Sequence, residues 1–358
     1  MRVDHATHVQ LIKRSFHGQQ GPDRTDRIAF VLRRAKISSI ATSEAGKMTK
    51  VYGLILLTLL SGSLHVATAG VDYVDQCEQP KEHYLNIENT RVRYVESGAG
   101  HDVVLIHGNA GSVDDFDFQR LGRLCRNYRV IAIDRPGHGK SDRPSDSDAT
   151  LQYQMHLLHE TLSHIGVTRP VLVGHSWGGS LALAYAVDYP KELSAIVLLA
   201  PAAYADGGPD QFMRAVLKTP VIGDVSLTMG RVIMGKHLLK KELRKAFYPD
   251  SVPDDYLRHA SASWLGHKQV RAILEDEYGL DRELKKISKR YSEICIPVVI
   301  VTGDHDKVVS AEHNAFRLKT LISQSQLMEL KNTGHQIPQT HPESIYNALS
   351  LISDTSSQ

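Results

Sequence analysis

"LVGHSWGGSLALAYA", residues 172–186, is the stretch whose reading decides the fold. Gly174-His175-Ser176-Trp177-Gly178 fits G-x-S-x-G, and the surrounding pattern is the one that motif needs: an apolar strand ends at Gly174 and a helix begins just after Ser176. A serine so placed is forced into a tight turn. Glycines at i−2 and i+2 are required because a sharp strand-to-helix turn leaves no room for Cβ atoms against the neighbouring backbone. The hydroxyl then projects above the sheet edge, and the Trp177 N–H points where an oxyanion would form. Two nucleotide-binding readings of the same glycine-rich turn fail. A dinucleotide fingerprint needs glycine at 176, and a phosphate loop needs Gly-Lys-Ser/Thr at its end; neither occurs.

Outward from this turn, strand-like and helix-like stretches alternate. "HYLNIENTRVRYVES" (83–97) reads as two strands turning at Asn89-Thr90. "DVVLIH" (102–107), "YRVIAID" (128–134), "PVLVG" (170–174) and "LSAIVLLA" (193–200) are strands, with helices expected over 112–125, 149–165 and 176–188. The strands are continuous Val/Ile/Leu runs, as expected of parallel strands buried on both faces. The class is therefore α/β, a mostly parallel central sheet flanked by helices. Residues 201–294 break the rhythm with helical segments, including "KHLLKKELRKAF" (236–247), and form an insertion after the sixth strand. The alternation resumes with "CIPVVIVTG" (295–303), a helix around 310–322, "SQLMEL" (325–330) and a last helix over 342–352.

A serine of ordinary pKa is a poor nucleophile, so it needs a base, and the base needs an orienting acid. "VTGDHDKVV" follows a late strand and offers Asp304 and Asp306; "NTGHQIP" follows the last strand and offers His335. Asp306 is preferred because Gly-x-x-Asp then Val-Val puts its carboxylate beyond the turn; Asp304 is the fallback and Asp206 a weaker candidate. The second oxyanion donor is expected in "HGNAGS" (107–112), as the backbone N–H of Asn109. Asn109 and Trp177 would thus hold the oxyanion.

Composition narrows the function classes. The chain has 358 residues and a formal net charge of +2, so no global electrostatic footprint argues for nucleic acid, a polyanionic substrate or an anionic membrane surface. A small-molecule substrate fits better. Cys77, Cys125 and Cys295 are too few and scattered for a zinc cluster or a redox pair, and at most one disulfide can form. No HExxH occurs, so no metal is expected, and acyl transfer by a serine, a histidine and an aspartate needs no organic cofactor. "MTKVYGLILLTLLSGSLHVATAG" (48–70) has the layout of a secretory signal peptide with cleavage after Ala69. Its position implies translation from Met48, with residues 1–47 a non-native or disordered extension. The expectation is export to the periplasm or outside the cell. The alternative keeps 51–70 as a membrane anchor, although His65 and Ser61-Gly62-Ser63 weaken such a span.

Over roughly residues 82–352 the sequence resembles the α/β-hydrolase superfamily. The resemblance is carried by "HGNAGS", "DRPGHGKSDRP" (134–144), "GHSWGG", "GDHDKVV" and "GHQIP", in the family order. It implies a hydrolase core over 82–200 and 295–352 and a helical cap over 201–294. "DRPGHGKS" reads as architectural. Haloalkane dehalogenases and epoxide hydrolases of the superfamily carry aspartate where Ser176 stands, which disfavours those chemistries. The resemblance implies a cap-bearing serine hydrolase, with Ser176, His335 and Asp306 as the triad, acting on a small, largely apolar carboxylic ester. Carbon–carbon bond hydrolysis, haloperoxidase-like perhydrolysis and a non-catalytic ligand-binding member of the fold stand as alternatives. Phe212, Met213, Met229, Met234, Phe247 and Trp264 either line an apolar pocket or pack the cap on itself.

Overall fold

A computed structural model describes residues 79–207, 219 and 222–355. The signal-peptide region, the extension before it, Phe212 and Met213 lie outside the described residues. Eight strands make one sheet: β1 Lys81–Ile87, β2 Thr90–Ser97, β3 His101–Ile106, β4 Tyr128–Ile133, β5 Val171–His175, β6 Ala195–Leu199, β7 Val298–Gly303 and β8 Gln326–Leu330. Their order is β1-β2-β4-β3-β5-β6-β7-β8. β1 pairs antiparallel with β2 and β2 with β4, and every later pairing is parallel.

The longer helices are α1 Leu151–His164, α2 Trp177–Asp188, α3 Ile222–Phe247, α4 Asp254–Ser263, α5 His267–Ile287 and α6 Glu343–Thr355. Alternate residues of the buried strands feed two cores. Val104, Ile106 and Leu172 pack with α1 and α2 on one face. Val103, Leu105 and Val173 pack with Ile345 and Leu349 of α6 on the other. This period of two explains why these strands are apolar at every position. Among the described residues no helix is long and apolar enough to cross a membrane.

Two local expectations are corrected. The first hairpin turns at Glu88-Asn89, both at positive φ (47° and 66°), with Ile87 opposite Thr90. That is the two-residue geometry whose twist matches the strands. The helix expected over 112–125 is instead a 3₁₀ turn, Val113–Asp115, and one α-turn, Gly122–Cys125. The Ser112 side chain accepts from the Asp114 N–H, and Asp117 Oδ1 accepts from the N–H of Gln119. Short polar side chains thus take the backbone donors that a continuous helix would use.

The stretch between β6 and β7 contains α3, α4 and α5, and a buried carboxylate ties it to the sheet. Asp276 of α5 is fully buried. Its Oδ2 accepts from Arg135 Nη1 (2.6 Å) and His138 Nε2 (2.9 Å), and its Oδ1 accepts from Arg143 Nη2 (2.5 Å) and Gln154 Nε2 (3.1 Å). Burial alone would raise its pKa, but the Arg143 and Arg135 charges and the His138 bond outweigh that and hold it well below the usual carboxylate range. Asp276→Ala leaves the buried Arg135 guanidinium with no carboxylate and takes from Arg143 one of its two, leaving it only Glu275. The expected loss of unfolding free energy in urea is about 3–5 kcal/mol. A loss within the range of an exposed ion pair would show that the cluster does not hold the insertion.

Candidate active site

The turn at Ser176 is built by exclusion of Cβ atoms. Ser176 has φ 52° and ψ −115°, a conformation that non-glycine residues adopt only where the surroundings enforce it. A Cβ on Gly174 would overlap the Gly178 carbonyl, and one on Gly178 would overlap the Ile106 carbonyl of β3. Hydrogen bonds pin the turn. Ser176 N–H donates to Leu199 O (2.9 Å), and its carbonyl accepts from Gly179 (2.9 Å) and Ala202 (3.2 Å). Gly108, in the loop after β3, stands directly behind the serine, since an added Cβ there would lie 3.1 Å from Ser176 Cβ.

The structure brings His335 and Asp306 together. His335 Nδ1–H donates to Asp306 Oδ2 at 2.8 Å, and both side chains are almost fully buried. Asp306 Oδ1 accepts from the N–H groups of Val308 (2.8 Å) and Val309 (2.9 Å). Burial pushes the Asp306 pKa up, but His335 and these N–H donors outweigh it, so the carboxyl stays below its ordinary value. The Val-Val pair after Asp306 is therefore the source of the two N–H groups that clamp the acid. Asp304 turns elsewhere, accepting from Thr333 N–H (3.2 Å) and His305 Nδ1–H (2.7 Å). Asp206 receives no bond from His335; its N–H donates to Asp281.

Ser176, His335, Asn109 and Trp177 line one cavity of about 470 Å³. Trp264, Ile273 and Leu280 supply apolar wall, while Glu242, Lys245 and Glu277 make part of it charged. Burial raises the pKa of Glu277 against the hydrogen bond it accepts from Asn109 Nδ2 (3.1 Å). Asn109 Nδ2 also donates to Ile273 O (3.1 Å), so the side chain of the expected oxyanion residue clasps α5 and leaves its backbone N–H for other work. Of the aromatic and methionine residues considered as wall, Trp264 lines the cavity. Met229 and Met234 are exposed, and Phe247 packs with Leu243 and Tyr256.

Four contributions were not assigned from the sequence. Arg135 lies 4.0 Å from the centre of the Trp177 ring and donates to His107 O (3.2 Å) and Gly108 O (3.0 Å), so it braces the loop behind Ser176 as well as Asp276. His175, the variable position of the serine motif, donates through Nε2–H to His335 O (2.9 Å); burial lowers its pKa to about 3, so it is neutral. Ala246 O, at the end of α3, accepts from the N–H groups of His335 (2.9 Å) and Gln336 (3.0 Å). Finally, Gln336 Nε2 donates to Tyr256 Oη (2.8 Å), whose hydroxyl donates to Asp115 Oδ1 (2.9 Å). "DRPGHG" carried a signal for Arg135, but its partner at 276 is far away in sequence.

Burial pushes Asp115 up to about 7 against the Tyr256 bond, with nearby Asp114 and Asp134 adding to the rise. A carboxyl whose folded pKa exceeds its ordinary 3.8 stabilises the fold fully below that value and loses this share as pH rises through 7. Asp115→Asn removes the dependence. The Tm difference, variant minus wild type, is expected to grow between about pH 5 and pH 8; a difference flat with pH would refute the assignment.

Comparison with known proteins agrees with this architecture. The family profile described as alpha/beta hydrolase fold matches residues 103–342, more than half of the chain. Lipase 1 of Psychrobacter immobilis is 28% identical over 249 residues, covering 68% of this chain and 74% of that protein. The 2-hydroxy-6-oxo-6-(2'-aminophenyl)hexa-2,4-dienoic acid hydrolase of Metapseudomonas resinovorans is 28% identical over 279 residues, covering 76% and 91%. The crystal structure of an alpha/beta hydrolase fold protein from Burkholderia ambifaria superposes with a TM-score of 0.64 at 25% identity, over 75% of this chain and 96% of that one. The chain belongs to the α/β hydrolase fold family and is a hydrolase.

Proposed function

We propose that the protein cleaves carboxylic esters through an acyl-enzyme on Ser176. The observation that carries this reading is the 2.8 Å bond from His335 to a buried Asp306, with His335 lining the same cavity as Ser176, which stands at positive φ. His335 takes the Ser176 proton through Nε2 as Oγ attacks the carbonyl. Asp306, already accepting at Nδ1, holds that tautomer and offsets the charge of the imidazolium. The N–H groups of Trp177 and Asn109 receive the oxyanion, and Arg135 keeps their two segments in register. His335 then returns the proton to the leaving alkoxide and activates the water that hydrolyses the acyl-enzyme.

The substrate reading is a small ester with a largely apolar acyl or alcohol part, seated against Trp264, Ile273 and Leu280. The name of Lipase 1 supports ester chemistry. The Metapseudomonas relative favours carbon–carbon bond hydrolysis with the same residues as the second reading. A paired screen of aryl and alkyl esters against vinylogous diketones separates the two.

Ser176→Ala and His335→Ala are each expected to lower kcat by about 10⁶, and Asp306→Asn by about 10⁴. A fluorophosphonate should modify Ser176 in the wild type, by mass spectrometry of the labelled peptide, and leave Ser176→Ala unmodified. An unlabelled but folded wild type would refute the acyl-enzyme.

Export by cleavage after Ala69 remains part of this proposal. It is supported by the charge, apolar run and Ala-x-Ala order of residues 48–69 and by Cys125, which is disulfide-bonded while Cys295 is free. Disulfides persist in oxidising compartments. N-terminal sequencing of the protein recovered outside the cytoplasm should begin at Gly70; an intact Met48 there would favour the retained anchor.

A further inference from the structure

α3 is longer than the helix that covers it. Its apolar residues recur along one stripe, Val225, Met229 and Val232 in the first half, then Leu239, Leu243 and Phe247. From Leu239 onward the stripe is buried against Tyr256 and Ala260 of α4. In the first half it is bare. Val232 is 73% exposed and Ile233 71%. Four of the ten large exposed hydrophobic side chains among the described residues, Val225, Met229, Val232 and Ile233, fall on this side of the helix. Clustered apolar surface of this kind marks a contact site.

Charge indicates what it contacts. Lys236, Lys240 and Arg244 continue from Val232 at steps of four residues, so they follow the bare stripe along the same side of the helix. All three are exposed and make no ion pair among the described residues. The two acids of the helix are engaged elsewhere: Asp224 pairs with Arg271, and Glu242 lies 3.9 Å from Lys245. Lys240 and Arg244 also share a surface cleft with Tyr248. The near-neutral total of the chain conceals this local excess.

We propose that α3 docks on an anionic phospholipid surface, with Val225, Met229, Val232 and Ile233 entering the acyl boundary and Lys236, Lys240 and Arg244 meeting the phosphates. A helix with a bare apolar face and flanking lysines and arginines lies in such an interface, where long basic side chains keep their charges at headgroup level. The same helix ends at the site. Leu243 and Lys245 line the cavity, and Ala246 O holds the peptide of His335. Docking therefore brings the cavity to the lipid, and the substrate class becomes an ester delivered from a membrane. That last clause rests on the ester-hydrolase reading; the docking does not.

The test uses the full chain carrying Met229→Cys and Cys295→Ser, labelled at 229 with an environment-sensitive nitrobenzoxadiazole dye without reductant. Vesicles of phosphatidylcholine are compared with an equal mixture of phosphatidylcholine and phosphatidylglycerol. The expected result is a blue shift and emission rise on the mixed vesicles, weaker on phosphatidylcholine alone and reduced by salt. Adding V232E/I233E should weaken partition by about tenfold or more. Adding S176A should leave the shift unchanged, so failure of the ester chemistry reads separately from failure of docking. An unshifted dye on both vesicles overturns the proposal, as does a shift that V232E/I233E does not alter. A dye already blue without lipid also overturns it: dependence on protein concentration would assign the face to a second copy, and independence to another segment of this chain.

Discussion

The contact on which the site depends is between Asp276 and Arg135. A carboxylate and two guanidinium groups buried together are tolerable only when every partner is present, because desolvation of an unpaired charge costs more than the pair contributes. Here each charge is paired: Asp276 accepts four hydrogen bonds, Arg135 donates to Asp276, Gln154 and the carbonyls of His107 and Gly108, and Arg143 pairs with both Asp276 and Glu275. One end of this cluster is α5. The other is the loop behind Ser176 and the face of Trp177. The helices inserted between β6 and β7 are thereby coupled to the segments that would stabilise an oxyanion.

A second set of constraints acts on His335. The ring of His335 is oriented by Asp306, but its backbone is held from two further sides, by His175 from the serine turn and by Ala246 from the end of α3. His175, kept neutral by burial, carries its single ring proton on Nε2 in this bond. His107 is likewise neutral, with Nδ1–H donating to Gly108 O and Nε2 accepting from the Arg135 N–H. Histidines are numerous in this chain, yet these are dipolar struts of fixed tautomer. The insertion is thus held firmly at α5 and at the end of α3, whereas the first half of α3 has its apolar stripe in solvent. That contrast is what sets the bare half of the helix apart as a surface for something else.

Local patterning was a good guide wherever a single element carried the information. Continuous apolar runs marked the buried strands, since each supplies both cores. Gly174 and Gly178 marked the serine turn because their Cβ atoms would strike backbone. Val308 and Val309 marked Asp306 over Asp304. It failed where polar side chains compete with the backbone, as at Ser112 and Asp117, where a helix was expected and a 3₁₀ turn formed. It was also silent on which face of α3 would be covered: Met229 and Phe247 both belong to the apolar stripe, and only the position of α4 leaves one exposed and the other buried.

The amino-acid sequence by itself determined the α/β class, the order of its elements, the strained turn at Ser176 and the loops that carry His335 and Asp306. These follow from short-range sterics and hydrophobic period, which a linear chain displays. Only the tertiary structure decided that Asp276 would meet Arg135, that Ala246 and His175 would hold His335, that Asp115 would be buried beneath Tyr256 and that half of α3 would stay bare. Each joins residues far apart in sequence, and their energies depend on burial and partner geometry that exist only once the chain is folded.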